Sequence, residues 1–293
     1  MISPFYIDCR ALAHCPDGIY TKHNNRKQSS SKEKRAMYQY GKRYLKKTYW
    51  GSSDKDVESD ALYVVEDASV AKDLLSRGAA VLVHLCEDNR FDNFAGCRYA
   101  FESPFSIDTE YLERVYRRYR DIPWDILETE RCYLRETTVE DVEEFFRIYA
   151  DKRITQYMED LYPTIEEEKA YTRKYIDNAY HFYEYGVWTI VHKETGNIIG
   201  RAGLSATDGF EDPDLGYVLD TAYQGQGIAF EVCSAILEYA KEYLGVEKIN
   251  ALVHRENEAS LRLLDKLGFK KIDFENDLQR SQAEPMQDLY RKE

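Results

Sequence analysis

Apolar positions follow two regimes along this chain, and the change falls near residue 123. From 61 to 120 the runs are short. "AAVLVHLCE" (79–87) is continuously apolar over strand length, as in a strand buried on both faces. "ASVAKDLLSRG" (68–78) reads as a short helix with Gly78 just past its end. "CRYAFES" (97–103) reads as a further strand. "DTEYLERVYRRYRD" (108–121) sets Tyr111, Leu112, Val115, Tyr116 and Tyr119 on one side of a helix. Pro123 then marks a break.

Beyond the break the pattern is regular. "ILETERCYLRE" (126–136) reads as one extended strand. Thr138 caps a helix over "VEDVEEFFRIYAD" (139–151), with Asp141 in its first turn. Thr164 and Glu167 form a capping box for "IEEEKAYTRKYIDNAYHFYEY" (165–185). Two strands flank a turn in "VWTIVHKETGNIIGRAGLSA" (187–206), and "DLGYVLD" (214–220) is another strand. Ile228, Val232, Ile236, Tyr239 and Tyr243 recur at helical spacing, with Gly245 after them. "KINALVH" (248–254) is a strand, "NEASLRLLDKLG" (257–268) a helix, and "FKKIDF" (269–274) a strand, with a possible last strand at "MQDLYRK" (286–292). Strand, glycine-rich turn, helix and strand form a βαβ-like unit within this order.

The first sixty residues are different. "TKHNNRKQSSSKEKR" (21–35) is polar and reads as a loop or linker. "KEKRAMYQYGKRYLKKTYW" (32–50) reads as a basic, solvated helix packing Tyr38 and Leu45 inward. Three regions are therefore expected: a basic, partly flexible segment over 1–60, a small αβ region over 61–122 and a larger domain over 123–293.

Charge sharpens this division. Residues 1–60 hold 12 Lys and Arg against 7 Asp and Glu, so the remainder carries −18 of a net −13. An acidic body argues against nucleic acid as the main partner and is compatible with a cationic substrate. No apolar run reaches the roughly 18 residues of a membrane span. The start "MISPFYIDCRALAHC" lacks the features of a secretory signal, so a soluble, cytoplasmic protein with free thiols is expected. Cys9, His14, Cys15 and His23 are close in sequence but match no usual zinc spacing, and no metal is expected.

The candidate chemistry lies in "YQGQGIAFEV" (223–232), two glycines directly before a helix. Glycine there lets an anion reach the unpaired N–H groups of the helix start. The lysine-containing phosphate loop is absent, and in GxGxxG the third glycine position is Phe230. By itself the stretch fits a structural turn equally well.

Read with its flanks, this stretch resembles the acetyl-CoA motif of the GCN5-related N-acetyltransferases (GNAT). Gln224, Gly227 and Ala229 meet that family's (Gln/Arg)-x-x-Gly-x-(Gly/Ala) pattern, and "NEASLRLLDKLGF" is similar to its second motif. The resemblance covers about residues 126–293 and is nearest to the branch acetylating ribosomal-protein N-termini. It implies an α/β (α+β) fold with a mixed, splayed sheet flanked by helices, preceded by a smaller αβ region. It also implies acetyl-CoA as acetyl donor and a primary amine as acceptor: a protein N-terminus, a polyamine or a small molecule. The pantetheine arm would pair with the strand near Val218 and Leu219. The pyrophosphate would meet Gln224, Gly225, Gln226, Gly227, Ile228 and Ala229, and Asn257 would position the coenzyme.

An attacking amine must be neutral, which calls for a base, and the leaving thiolate is helped by an acid. Asp214, where relatives commonly carry an acid, is the first choice of base, with Glu211 and Asp212 as alternatives. Relatives often place an acidic tyrosine in the last helix, but Leu264 stands there, so Ser260 is the candidate acid, with His254 as a possible relay. For the acceptor, Glu159, Asp160 and Glu184 are expected to attract a cationic amine between Tyr162, Tyr183, Tyr185 and Trp188. The alternative is a non-catalytic acetyl-CoA-binding module whose basic N-terminal segment contacts an acidic partner.

Overall fold

In the computed structural model, the described residues are 45, 47–50, 57–275, 279–280, 283 and 286–293, with 106, 181 and 182 described in backbone only. Cys9, His14, Cys15, His23, the 21–35 stretch and most of 32–50 lie outside them. The chain divides into two units at Trp124/Asp125.

The described part of the N-terminal unit is a four-stranded parallel sheet with one helix against each face. Its elements are β1 (Lys47–Trp50), β2 (Ala61–Val65), α1 (Ala68–Ser76), β3 (Ala80–His84), β4 (Tyr99–Phe101) and α2 (Thr109–Tyr119), with the strands ordered β1-β2-β3-β4. Every residue of β2 and β3 is buried, and their side chains alternate between two cores. Tyr63 and Val81 meet Leu74 of α1, whereas Leu62 and Leu82 meet Val115 and Tyr116 of α2. Asp67 caps α1 by accepting from Ser69 and Val70, and Gly78 follows its end at φ 76°. Lys47–Trp50, expected within a basic helix, is instead a strand. Its β-branched Thr48 and aromatic Tyr49 and Trp50 suit a pleated edge, and Tyr49 stacks on Tyr63 at 5.3 Å.

The C-terminal unit is built on an eight-stranded mixed sheet. In chain order it comprises β5 (Asp125–Glu128), β6 (Cys132–Arg135), α3 (Val142–Tyr149), α4 (Ile165–Asn178), β7 (Val187–His192), β8 (Ile198–Ser205), β9 (Asp214–Leu219), α5 (Ile228–Tyr243), β10 (Ile249–His254), α6 (Glu258–Leu267), β11 (Lys270–Ile272) and β12 (Gln287–Lys292). The strand order is β11-β12-β10-β9-β8-β7-β6-β5. The single strand expected over 126–136 is a hairpin, because the polar Thr129–Arg131 stretch turns and Thr129 N donates to Cys132 O. Both threonine caps form with their boxes, Thr138 with Asp141 and Thr164 with Glu167.

β5 to β9 form an antiparallel meander, but β9 and β10 run parallel and pair in register only at Asp214 and Asn250. Beyond that point they diverge. The two faces of the meander carry different helices. Trp188 of β7 meets Tyr239 of α5 at 5.6 Å, while Arg201 of β8 lies over Tyr149 of α3 at 5.0 Å. Trp188 and Arg201 occupy alternate positions of the pleat, since Ala202 is opposite Trp188 and Thr189 is opposite Arg201. The gap between β9 and β10 therefore opens from the α5 face toward the α3 and α4 face.

Candidate active site

A cavity of about 850 Å³ fills the splay. Its walls come from β9 (Leu215–Leu219), β10 (Ala251–His254), the start of α5 and the inner side of α6, with α3 and α4 on the opposite face. Because β10 pairs only at the closed end, the edge of β9 borders the cavity rather than another strand.

At the open end of β9, Asp220 caps a short turn by accepting from Ala222 N at 2.9 Å, and Arg147 holds Asp220 at 2.7 Å. The chain then passes through Gly225 (φ 73°) and Gly227 (φ 80°), left-handed conformations that a side chain disfavours. Gly227 is the N-cap of α5 and has no side chain to cap it. A Cβ on Gly225 would meet nothing within 4 Å, so the space before the helix is open. The turn is braced from behind: Arg131 donates to Gln226 O at 2.9 Å and pairs with Glu231 in the first turn of α5 at 2.7 Å. Gln224 donates to Leu219 O at 2.8 Å, which occupies one acceptor at that end of the strand. Gly225, Gly227, Ile228 and Ala229 line the cavity with Val218, Leu219 and Gln224; Gln226 is exposed and donates to Ala222 O at 2.9 Å. Such a helix start, free of side-chain caps, can receive an anion.

Two proton-transfer candidates differ in placement. Ser260 is a wall residue, and the Tyr217 hydroxyl donates to its Oγ at 2.8 Å across the gap from β9 to α6. Burial pushes the Tyr217 hydroxyl up to about 12, so it stays protonated at neutral pH. The motifs do not single out Tyr217; its alternation with Gly216 and Val218 in β9 is the only sequence signal. Asn257 caps α6, its Oδ1 accepting from Ser260 N at 3.1 Å, and it also faces the cavity. Leu264, one turn after Ser260, is 1% exposed and lines the same wall.

Asp214 sits at the closed end of the splay and is not a wall residue; Ser205, opposite it in register, and Leu215 are. It is 8% exposed, and neither carboxylate oxygen meets a donor in hydrogen-bonding geometry. Burial raises its carboxyl to about 6, opposed by the nearby Thr207 side chain. Of the alternatives, Asp212 has its carbonyl bonded by Asn250 and its carboxylate 3.9 Å from Arg291. His254 lines the cavity, lies with its ring 5.0 Å from that of Tyr157 at a tilt of 34° and accepts from Glu256 N through Nδ1.

The residues expected to form an acidic acceptor pocket do not line this cavity, although their chain neighbours Tyr157, Met158 and Val187 do. Glu159, Asp160, Glu184, Tyr162, Tyr183, Tyr185 and Trp188 are absent from the walls. Trp188 is 0% exposed and faces α5, because its pleat position points away from α3. The wall on the α3 and α4 face is instead Phe145, Tyr149, Ile154, Tyr157, Met158, Tyr171, Tyr175 and Arg201. Among the described residues no group of three or more His, Cys, Asp or Glu could hold a metal, and no helix is long and apolar enough to cross a membrane.

The family model of the GNAT acetyltransferase domain matches residues 131–270, which contain the glycine turn, Asp214, Tyr217 and Ser260. The uncharacterized N-acetyltransferase YoaA of Bacillus subtilis (strain 168) is 32% identical over 153 residues, covering 50% of this chain and 83% of YoaA. The chain belongs to the GNAT acetyltransferase family. The unit before Asp125 lies outside the matched residues. Among solved structures, the ribosomal-protein-S5-alanine acetyltransferase of Vibrio fischeri is 21% identical, covering 57% of this chain and 94% of that one at a TM-score of 0.46. The microcin C7 self-immunity acetyltransferase MccE, solved with acetyl-CoA and AMP, is 16% identical, covering 56% of this chain and 92% of that one at a TM-score of 0.46.

Proposed function

We propose that the C-terminal unit transfers the acetyl group of acetyl-CoA to a primary amine. The observation that carries this reading is the through-going cavity. It joins an uncapped helix start on the α5 face to an aromatic pocket on the α3 and α4 face, past the unpaired edge of β9. A thioester held there exposes its carbonyl to an acceptor from the other face.

In this reading the N–H groups from Gly225 to Ala229 take the pyrophosphate, aided by the partial positive charge of the helix start. The edge of β9 at Val218 and Leu219 pairs with the pantetheine amides, and Asn257 helps place the arm. The coenzyme supplies the activated thioester. The amine nitrogen attacks the carbonyl carbon, a C–N bond forms and the C–S bond breaks. The proton lost by the amine passes through water to Asp214, whose carboxyl near 6 is ionised at neutral pH yet more basic than an exposed aspartate. Ser260 gives a proton to the leaving sulfur and is resupplied by Tyr217, which regains its own proton from water in the cavity. The hydroxyl that relatives carry at the position of Leu264 would thus be replaced by one from the facing strand.

The test is release of coenzyme A thiol by the full chain over a panel of amines, with binding followed separately by thermal shift. Acetyl-CoA at a hundred times its Kd should stabilise the C-terminal unit by about 2.7 kcal/mol. Tyr217→Phe should lower kcat by roughly 10-fold or more if it feeds Ser260. Binding of acetyl-CoA with no turnover of any amine would overturn the transferase reading, and no binding would overturn the site.

A further inference from the structure

We infer that the acceptor is an amino acid with an apolar or aromatic side chain, and that Arg201 receives its carboxylate. This rests on the acetyltransferase reading above and goes beyond it by naming the acceptor class.

The charge of the cavity wall is the starting point. No Asp or Glu lines it, while Arg153, Arg201, Arg262 and Lys266 do. Arg153 is held by Asp151 at 2.5 Å and Arg262 by Glu258 at 2.9 Å. Lys266 belongs to the last turn of α6. Arg201 alone of the four is packed against α3. Its Nε donates to the Tyr149 hydroxyl at 2.9 Å, and its guanidinium lies over the rings of Tyr149 and Phe145 at 5.0 and 5.3 Å.

These contacts fix the plane of the guanidinium without neutralising it. Among the described residues Arg201 has no ion-pair partner, and neither Nη atom makes a hydrogen bond. The nearby acids do not serve. Glu168 is 2% exposed, is not a wall residue and accepts from Tyr162 N at 3.0 Å; Asp160 is exposed and lies 4.0 Å from Lys152. A half-buried guanidinium with no carboxylate at ion-pair distance is available to an anion, and a planar fork with two free nitrogens matches a carboxylate. A polyamine would bring its second positive charge against the same group.

Position supports this choice. Arg201 lies opposite Val218 in register, so the anion site adjoins the middle of the strand that borders the gap. Neighbouring strands are about 5 Å apart, which places an amine a few atoms from the carboxylate near the reacting centre. The remaining walls, Phe145, Tyr149, Tyr157, Met158, Tyr171 and Tyr175, suit an apolar or aromatic side chain. The acidic net charge does not oppose an anionic substrate, because exposed charges are screened beyond about 8–10 Å.

The experiment compares phenylalanine, phenylalanine amide, phenethylamine and spermidine as acceptors for the full chain, read as coenzyme A release at matched concentrations of neutral amine. Phenylalanine should exceed the other three in kcat/KM by roughly 10- to 100-fold, the value of a charge-assisted pair. Arg201→Gln should cost phenylalanine roughly 10- to 100-fold more in kcat/KM than it costs the amide, and Arg201→Lys should restore part of that difference. The acetyl-CoA thermal shift checks that each variant is folded. Equal or better use of the amide or spermidine by the wild-type protein overturns the proposal without any variant, as does equal damage to all acceptors by Arg201→Gln. Failure to acetylate any amine while acetyl-CoA still binds overturns the transferase reading together with this one.

Discussion

Asp214→Asn is expected to stabilise the C-terminal unit at neutral pH while damaging its chemistry. The carboxyl is 8% exposed, neither oxygen meets a donor in hydrogen-bonding geometry, and burial raises it from 3.8 to about 6 against the opposing effect of the nearby Thr207 side chain. That is a displacement of about two pKa units, and at 1.36 kcal/mol per unit it corresponds to about 3 kcal/mol. The folded-state pKa lies above the unfolded one, so the folded protein holds the proton more tightly. The resulting stabilisation is complete below about pH 4, is lost as pH rises from 4 to 6, and is absent above 6. Asparagine does not titrate. The stability difference between variant and wild type should therefore grow in favour of the variant by about 3 kcal/mol between pH 4 and pH 7, whatever constant offset the amide adds. Urea unfolding at several pH values measures it, using the transition that acetyl-CoA displaces. A difference that stays flat from pH 4 to pH 8 would refute the reasoning, since it would mean that the folded protein does not resist ionising Asp214. In activity assays the same variant should lose roughly 10²–10⁴-fold in kcat if Asp214 takes the amine proton, and should lose the inflection near pH 6 while the rise from the amine's own deprotonation remains. Wild-type turnover by the variant at neutral pH would leave Asp214 a buried carboxylate without a catalytic part.

Gly227→Val should abolish most of the acetyl-CoA thermal shift, because φ at Gly227 is 80° and a branched side chain there both strains the turn and crowds the helix start; an undiminished shift would place the phosphates elsewhere. Gly203→Ala should prevent folding of the C-terminal unit, since its Cβ would lie 2.0 Å from Gly186 O and 2.7 Å from Val187 Cα, backbone atoms that cannot yield. A variant with wild-type circular dichroism and thermal midpoint would contradict that packing. Ser260→Ala should reduce kcat less than Asp214→Asn does, because a thiolate whose conjugate thiol has a pKa of about 8.5 can also leave with help from water; single-turnover rates separate the two.

Much of this protein is written in local sequence. The capping boxes Thr138/Asp141 and Thr164/Glu167, the glycines that end α1 and α6, and the positive-φ turn at Gly225 and Gly227 each act within a few residues, so periodicity and cap chemistry suffice to place them. The uncapped helix start that follows this turn was legible for the same reason. What the sequence left open depends on partners far apart in the chain. The strand Lys47–Trp50 exists because β2 accepts it in parallel register. The Tyr217–Ser260 bond joins residues 43 apart, and the Arg201–Tyr149 bond joins residues 52 apart. The placement of Trp188 against α5 and of Arg201 against α3 follows from the pleat of β7 and β8, and it sets Arg201 rather than Trp188 in the cavity wall. Burial of Asp214 likewise comes from the closed end of the splay, where a single pair joins β9 to β10. Sequence fixes which side chains are available and what local backbone they favour; which of them share a cavity, and with what charge and solvation, is decided by how strands and helices meet across the fold.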